Sequence, residues 1–206
     1  MPRPKKDAAL DISRKAVEET IRLLGEREDF DVPLAAVAEA VGCTAPALYG
    51  QYRNKDALLR AVHDAGFKRL YEEKRARAKH FRAEPLAYLR ACSHAYAQFA
   101  FENPTLYRLM FSPPPSLAAD QGPLSTDLGR SVLELVVKAI RACQKQGLLP
   151  GADPKRYAFT LWAAVHGAVS LALQNRAPDE KVRQDAALVV VDTLLEIIAA
   201  TASDRR

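Results

Sequence analysis

The stretch PLAAVAEAVGCTAPALYGQY, residues 33–52, decides the fold. Its apolar residues recur at helical spacing on either side of Gly42 and Cys43, so two short helices meet there, over about 33–41 and 45–52. Pro33 suits a first helical turn, which needs no backbone donor, and Gly42 can take the left-handed conformation that stops a helix. Neither helix is long enough to be stable alone. They must pack on one another at a steep angle through a turn of three or four residues, with a small residue at the crossing and apolar side chains inside the angle. Ala38 supplies the small residue, and Val37, Val41 and Leu48 fall on the inside. The segment is therefore a helix-turn-helix. Thr44 stands as N-cap of its second helix, which leaves the first amides and the positive dipole end pointing outward, where phosphate is attracted.

Helical spacing continues in both directions with almost no alternation of period two, and the chain reads as all-α with about nine helices. The first covers about 8–25, with Ile12, Ala16, Ile21 and Leu24 apolar among charged neighbours. Asn54 caps a long fourth helix reaching about residue 80, whose core side includes Leu58, Leu59, Val62 and Leu70. Pro85 opens a fifth to about Glu102, and Asn103-Pro104 breaks it and starts a short sixth ending near Phe111. The Pro-rich tract over 112–123 reads as an irregular loop. Helices over about 124–146, 154–175 and 178–200 follow, the first stopped by Gly147 and the second opened by Asp153-Pro154.

Composition narrows the function. With 206 residues, 49% hydrophobic and 27% charged, the chain can bury a sizeable core, and 7% aromatics with nine glycines argue against a barrel or sandwich. The net charge of +5 permits a polyanionic partner, yet residues 1–60 carry ten basic and ten acidic side chains. The excess sits in Lys68, Arg69, Lys74, Arg75, Arg77, Lys79 and Arg82, which alternate with Glu72 and Glu73 and read as the solvated face of the long helix. Arg3, Lys5 and Lys6 form a basic arm, or a solvated tail, at the N-terminus. Cys43, Cys92 and Cys143 are too few and too scattered for a disulfide framework or a zinc site, and a reducing cytoplasm fits them. Residues 157–174 run without a formal charge, but Thr160, His166, Gly167, Ser170 and Gln174 within them indicate a buried helix, with no membrane involved. His63, His80, His94 and His166 make no HxxxH pair, and no phosphate loop or nucleophile elbow occurs, so no enzyme, metal or cofactor is expected.

Beyond the turn, the run Ala47-Leu48-Tyr49-Gly50-Gln51-Tyr52-Arg53-Asn54-Lys55-Asp56-Ala57-Leu58-Leu59 resembles the N-terminal signature of the tetracycline-repressor-like (TetR) regulators, over about residues 10–70. Ala38, Gly42, Leu48, Tyr49, Tyr52, Lys55 and Leu58 match together. Relatives usually carry Phe where Tyr52 stands and often His or Tyr near Gly50 and Gln51. The resemblance implies that Tyr49 contacts DNA and that Lys55 binds phosphate; on the residues alone Tyr49 reads equally as a half-buried aromatic propping the helix, and Lys55 also as a solvated lysine. A helix in the major groove would also bring Thr44, Ala45, Pro46 and Gln51 towards base edges: Thr44 for a phosphate or base, Ala45 and Pro46 for a thymine methyl, Gln51 for an adenine. A second likeness, in Trp162-Ala-Ala-Val-His166-Gly167, looks like the Trp-His-Gly element of one subgroup of all-helical homodimers.

The remaining readings concern the C-terminal part. In the last helix Leu188, Val189, Val190, Val191, Leu194, Leu195, Ile197 and Ile198 exceed what one core can use, while Ala163, Ala164, Gly167 and Ala168 permit close approach, so a homodimer through the last two helices is expected. An effector pocket for a mostly apolar small molecule is placed at Tyr96, Phe99, Tyr107, Met110, Phe111, Trp162 and His166, a list that also describes a plain core. Trp162 and His166 share a face at i, i+4 spacing, and His166 reads either as a hydrogen-bonded core residue or as an effector contact. The chain thus divides into a DNA-binding head, 1–54, and a ligand-binding and dimerisation domain, 55–206. The function expected is a repressor released from a palindromic operator on double-stranded DNA; the alternative is a helical ligand-binding or interaction protein without DNA binding.

Overall fold

The computed structural model describes residues 6–27, 29–78, 83–119, 126–149, 151, 153–174 and 180–200. Among these residues every regular element is a helix: α1 Lys6–Arg27, α2 Leu34–Val41, α3 Ala45–Tyr49, α4 Lys55–Arg77, α5 Pro85–Glu102, α6 Pro104–Phe111, α7 Pro115–Ala119, α8 Thr126–Lys145, α9 Pro154–Leu173 and α10 Glu180–Ala200. The all-α expectation holds, with ten helices in place of nine. The addition is α7, inside the tract read as an irregular loop. Pro115 starts a single turn that buries Leu117 completely, and Arg60 donates a hydrogen bond of 3.1 Å to the Leu117 carbonyl. Arg3 and Lys5 of the basic arm lie outside the described residues.

Two compact units are present, Met1–Lys68 with Asn103–Thr126, and Arg69–Glu102 with Asp127–Arg206. Packing thus divides the chain elsewhere than at residue 54, because α6 packs on α1 and α4. In the first unit Ala16, Leu24, Val37, Ala38, Leu48 and Val62 form the core, while Val41 is only half-buried. Leu48 is fully enclosed, so truncating it to Ala costs about 2–5 kcal/mol. Gly42 ends α2 at φ 73°, its N–H bonding Glu39 O at 3.0 Å and the Cys43 N–H bonding Ala38 O at 2.9 Å, a left-handed cap that aims the chain into α3. A Cβ on Gly66 would collide with the Met110 sulfur, so α4 and α6 touch through the missing side chain.

In the second unit α5 is enclosed on most sides, burying Leu89, Cys92, Tyr96, Phe99 and others, and both α9 and α10 pack on it. α10 turns the stripe Ala187, Val191, Leu195 and Ile198 inward; α9 does the same with Ala158, Leu161, Val165, Val169 and Ala172. Arg90 Nε and His94 Nε2 both lie 3.1 Å from Asp192 Oδ1 and tie α5 to α10. α8 contributes Val136, Ile140 and Cys143, and burial pushes the Cys143 thiol up to about 11, so it stays protonated. Gly147, at φ 82°, closes α8 as its position predicts, with its N–H on Gln144 O at 3.0 Å.

Candidate DNA-binding surface and ligand cavity

The first surface is built by the end of α2 and the start of α3. Thr44 takes extended backbone angles and its Oγ1 accepts from the Ala47 N–H at 3.4 Å, so α3 starts where the sequence places it. Thr44, Ala45, Pro46 and Tyr49 all stand exposed, Tyr49 at 54%, while Leu48 between them anchors the helix from below. α3 ends at Tyr49, three residues earlier than expected. Gln51 therefore sits in the following turn, half-buried, because Gly50 and Gln51 close tight bonds back to Pro46 and Leu48. Tyr52 belongs to the core, its Oη 2.8 Å from Ser13 Oγ and donating to the Ser13 carbonyl at 3.1 Å, which fixes α3 against α1.

Lys55 opens α4, where Asn54 Oδ1 caps the helix by accepting from the Ala57 N–H at 2.8 Å. Its ammonium does not stand alone. Asp31, on the strand of chain before α2, receives it at 2.8 Å, and Lys55 holds the exposed Asp31 carboxyl below its ordinary range. No part of the sequence reading anticipated this pair, since 24 residues separate its members.

The residues expected to line an effector pocket fall in two places. Tyr107 and Phe111 pack with tilted rings at 4.8 Å in the first unit, Phe111 meets Phe67 edge-on at 5.3 Å, and Met110 fills the notch at Gly66. Tyr96, Phe99, Trp162 and His166 belong to the second unit. There a narrow cavity with about 20 Å³ of free room, roughly that of one water molecule, opens between α4, α5, α8 and α9, lined by Leu89, Val136, Leu161, Trp162 and Val165 on its apolar side and by Lys74, Cys92, Ser93 and Tyr96 on its polar side. Phe99 is buried beyond it. His166 stands behind its wall: its Nδ1 shares a hydrogen bond of 2.9 Å with Tyr96 Oη, its Nε2 lies 3.4 Å from Ser170 Oγ, and its ring stacks on Trp162 at 5.1 Å and 25°. Burial holds the His166 imidazole below its ordinary value, which favours the neutral ring.

Lys74 corrects the sequence reading. It was expected on a solvated face and is only 8% exposed, its ammonium 5.8 Å from the centre of the Tyr96 ring. The spacing held a signal, because Lys74 follows the buried Leu70 by four residues and so continues its stripe. Elsewhere in the second unit α9 and α10 leave large apolar side chains in water: Phe159, Leu171, Val189, Val190 and Ile197. A Cβ on Gly167 would meet nothing within 4 Å in this chain. Among the described residues no group of three His, Cys, Asp or Glu gathers to hold a metal, and no helix is long and apolar enough to cross a membrane.

A capped, outward-facing α3 set on α2 by a glycine turn, together with a separate helical unit enclosing a cavity, defines a regulator of the helix-turn-helix class. Residues 17–62 match the tetR family of bacterial regulatory proteins, and residues 89–195, more than half of the chain, match the tetracyclin repressor-like C-terminal domain. The chain belongs to the tetR family of bacterial regulatory proteins, and it is a DNA-binding transcriptional regulator. Among solved structures it is similar to a TetR-family transcriptional regulator from Pectobacterium atrosepticum, at TM-score 0.73 and 20% identity over 94% of this chain and 97% of that one. A TetR transcription regulator from Haloarcula marismortui gives TM-score 0.73 and 19% identity over 91% and 98%. SmeT, the repressor of the Stenotrophomonas maltophilia multidrug efflux pump SmeDEF, gives 0.67 and 20% over 91% of each chain. At such identities these likenesses concern the fold. No curated protein matches the chain.

Proposed function

We propose that the chain acts as a homodimeric repressor in the cytoplasm, holding a palindromic duplex through α3 of each protomer and leaving it when a small molecule occupies the cavity beside Trp162. The observation that carries this reading is the exposed row on α3, in which Thr44, Ala45, Pro46 and Tyr49 stand clear of a helix whose only buried residue is Leu48. A helix held from below and bare above can enter a major groove. There Thr44 and Tyr49 offer hydroxyls to bases or phosphates, Ala45 and Pro46 meet a thymine methyl, and Gln51 reaches an adenine from the turn. Lys55 exchanges Asp31 for a phosphate.

Dimerisation is assigned to α9 and α10. Thr160, Ala163, Ala164, Gly167 and Leu171 share the outward face of α9, and Val189, Val190, Thr193 and Ile197 share that of α10, so a second copy covers apolar side chains that this chain leaves in water. The effector is assigned to Tyr96 and Trp162, with His166 and Phe99 supporting them; Tyr107, Met110 and Phe111 are left to the packing of the first unit. The Trp162, His166 and Gly167 spacing supports placement in the Trp-His-Gly subgroup. Selection of bound duplexes from random sequence tests the reading. An inverted repeat with half-sites about 34–36 Å apart, or a multiple of that, is expected. A consensus without inverted symmetry, or no enrichment at all, overturns it.

A further inference from the structure

The cavity of the second unit has a charge imbalance that the proposed function does not use. Lys74 is more than nine-tenths buried and lines the cavity, yet among the described residues no carboxylate makes a salt bridge with its ammonium. The groups facing it from α5 are the Cys92 thiol, the Ser93 hydroxyl and the Tyr96 ring, and those from α8 and α9 are Val136, Leu161, Trp162 and Val165. Burial pushes the Cys92 thiol up, so it stays protonated. Tyr88, next along α5, donates its hydroxyl to the Lys74 carbonyl at 3.2 Å and is likewise pushed up by burial. On α4 itself the neighbouring Glu73 is engaged by Arg77 at 2.8 Å. Among the described residues the Tyr96 ring is the aromatic face under the ammonium, Glu73 and Cys92 act on it only through their field, and Tyr96 turns its hydroxyl away to His166.

An isolated ammonium is costly to bury, and burial accordingly pulls Lys74 below its ordinary value. One carboxylate placed in the cavity would supply the missing charge, and in a partly dry site an ammonium–carboxylate hydrogen bond is about twice as strong as a neutral one. The opposite wall, Leu89, Val136, Leu161 and the Trp162 ring, is apolar apart from the indole N–H.

Resting on the proposed effector site, we infer that its ligand is a small amphipathic carboxylic acid, its carboxylate on Lys74 and its compact aryl or short alkyl body against Leu161 and Trp162, whose side chains must move apart to widen the narrow space as it enters. This differs from a merely apolar effector in that the acid group, and not the tail, supplies recognition.

The test is calorimetric titration of the intact protein with matched pairs of probes, phenylacetate against phenylacetamide and butanoate against butanamide. At least one acid is expected to bind no less than tenfold more tightly than its amide. Lys74→Met, which keeps the length of the stem and removes the charge, should abolish that advantage while leaving amide binding within about twofold, and Lys74→Arg should keep part of it. Thermal melting of Lys74→Met controls for folding: the variant should melt no lower than the parent, because a charge without a partner has been removed. Equal affinity for acid and amide in the parent overturns the inference, as does an acid advantage that survives in Lys74→Met, or a parent that takes neither acid at millimolar concentration. An acid that binds through Lys74 but leaves affinity for the selected duplex unchanged would uphold the ligand class and refute the repressor mechanism. A duplex released by a neutral compound alone would do the reverse.

Discussion

Helices α3 and α10 both leave side chains in water, but of opposite kinds. On α3 they are small or hydroxylated, set around a positive helix end, whereas on α10 they are Val189, Val190 and Ile197, with Ile197 57% exposed. The first surface suits a wet, charged and salt-sensitive partner, and the second a dry and self-complementary one. The two proposed interfaces should therefore respond to different perturbations.

The largest effect is expected at the dry face. Ile197→Glu, on the side of α10 away from its core stripe, should leave the protomer folded and weaken the dimer by on the order of several kcal/mol, a shift of two or more decades in dissociation constant. Gly167→Leu should act in the same direction, because nothing in its own chain opposes the added side chain. Sedimentation equilibrium decides: dimers at unchanged concentration would place the interface elsewhere. Neither change should alter which bases a half-site prefers.

The next effect belongs to the wet face. Tyr49→Ala and Thr44→Ala should cost about 1–3 kcal/mol on the preferred duplex and change the preferred bases, with the dimer intact. A uniform loss on all sequences would demote both residues to phosphate contacts. Smaller still is Lys55→Ala, expected to lower affinity for every duplex alike and to reduce the log-log salt slope by about 1. Asp31→Asn sharpens this point, since releasing Lys55 from its partner should raise duplex affinity; no increase would mean that the ion pair survives in the complex.

The smallest expected effect is on pH. His166 is held neutral by burial, so the unfolded chain takes up its proton at a higher pH than the folded one. Stability therefore falls as pH drops below about 6.5, the ordinary histidine value, and rises as pH climbs back through that window. His166→Phe should flatten this dependence in thermal melts. An unchanged slope would show that the pH dependence does not come from His166.

The helix-turn-helix was legible because its determinants are local: Gly42 for the left-handed turn, Thr44 for the cap, Ala38 and Leu48 for the crossing. Gly147, Asn54 and Asp153 mark their helix ends for the same reason. What stayed hidden depends on distant partners. α7 exists because Leu117 is buried and its carbonyl meets Arg60, 57 residues earlier, and a Pro-rich tract by itself reads as a loop. The Lys55–Asp31 pair spans 24 residues with no motif to announce it. Lys74 was obscured by its company, since a helix with acids and bases in alternation looks solvated on every side. The aromatic list for the cavity mixed two packing clusters because residue type alone does not say which aromatic side chains meet, and only Tyr96 and Trp162 of that list line the space.

The stack of Trp162 on His166 has an optical consequence. Trp162 is the sole tryptophan of the chain, and the ionisable ring of His166 lies 5.1 Å away and nearly parallel to it. An excited indole gives up an electron more readily to an imidazolium than to a neutral imidazole. Protonation of His166 should therefore dim the emission of Trp162, so that the chain carries, without any label, a dye beside its own quencher.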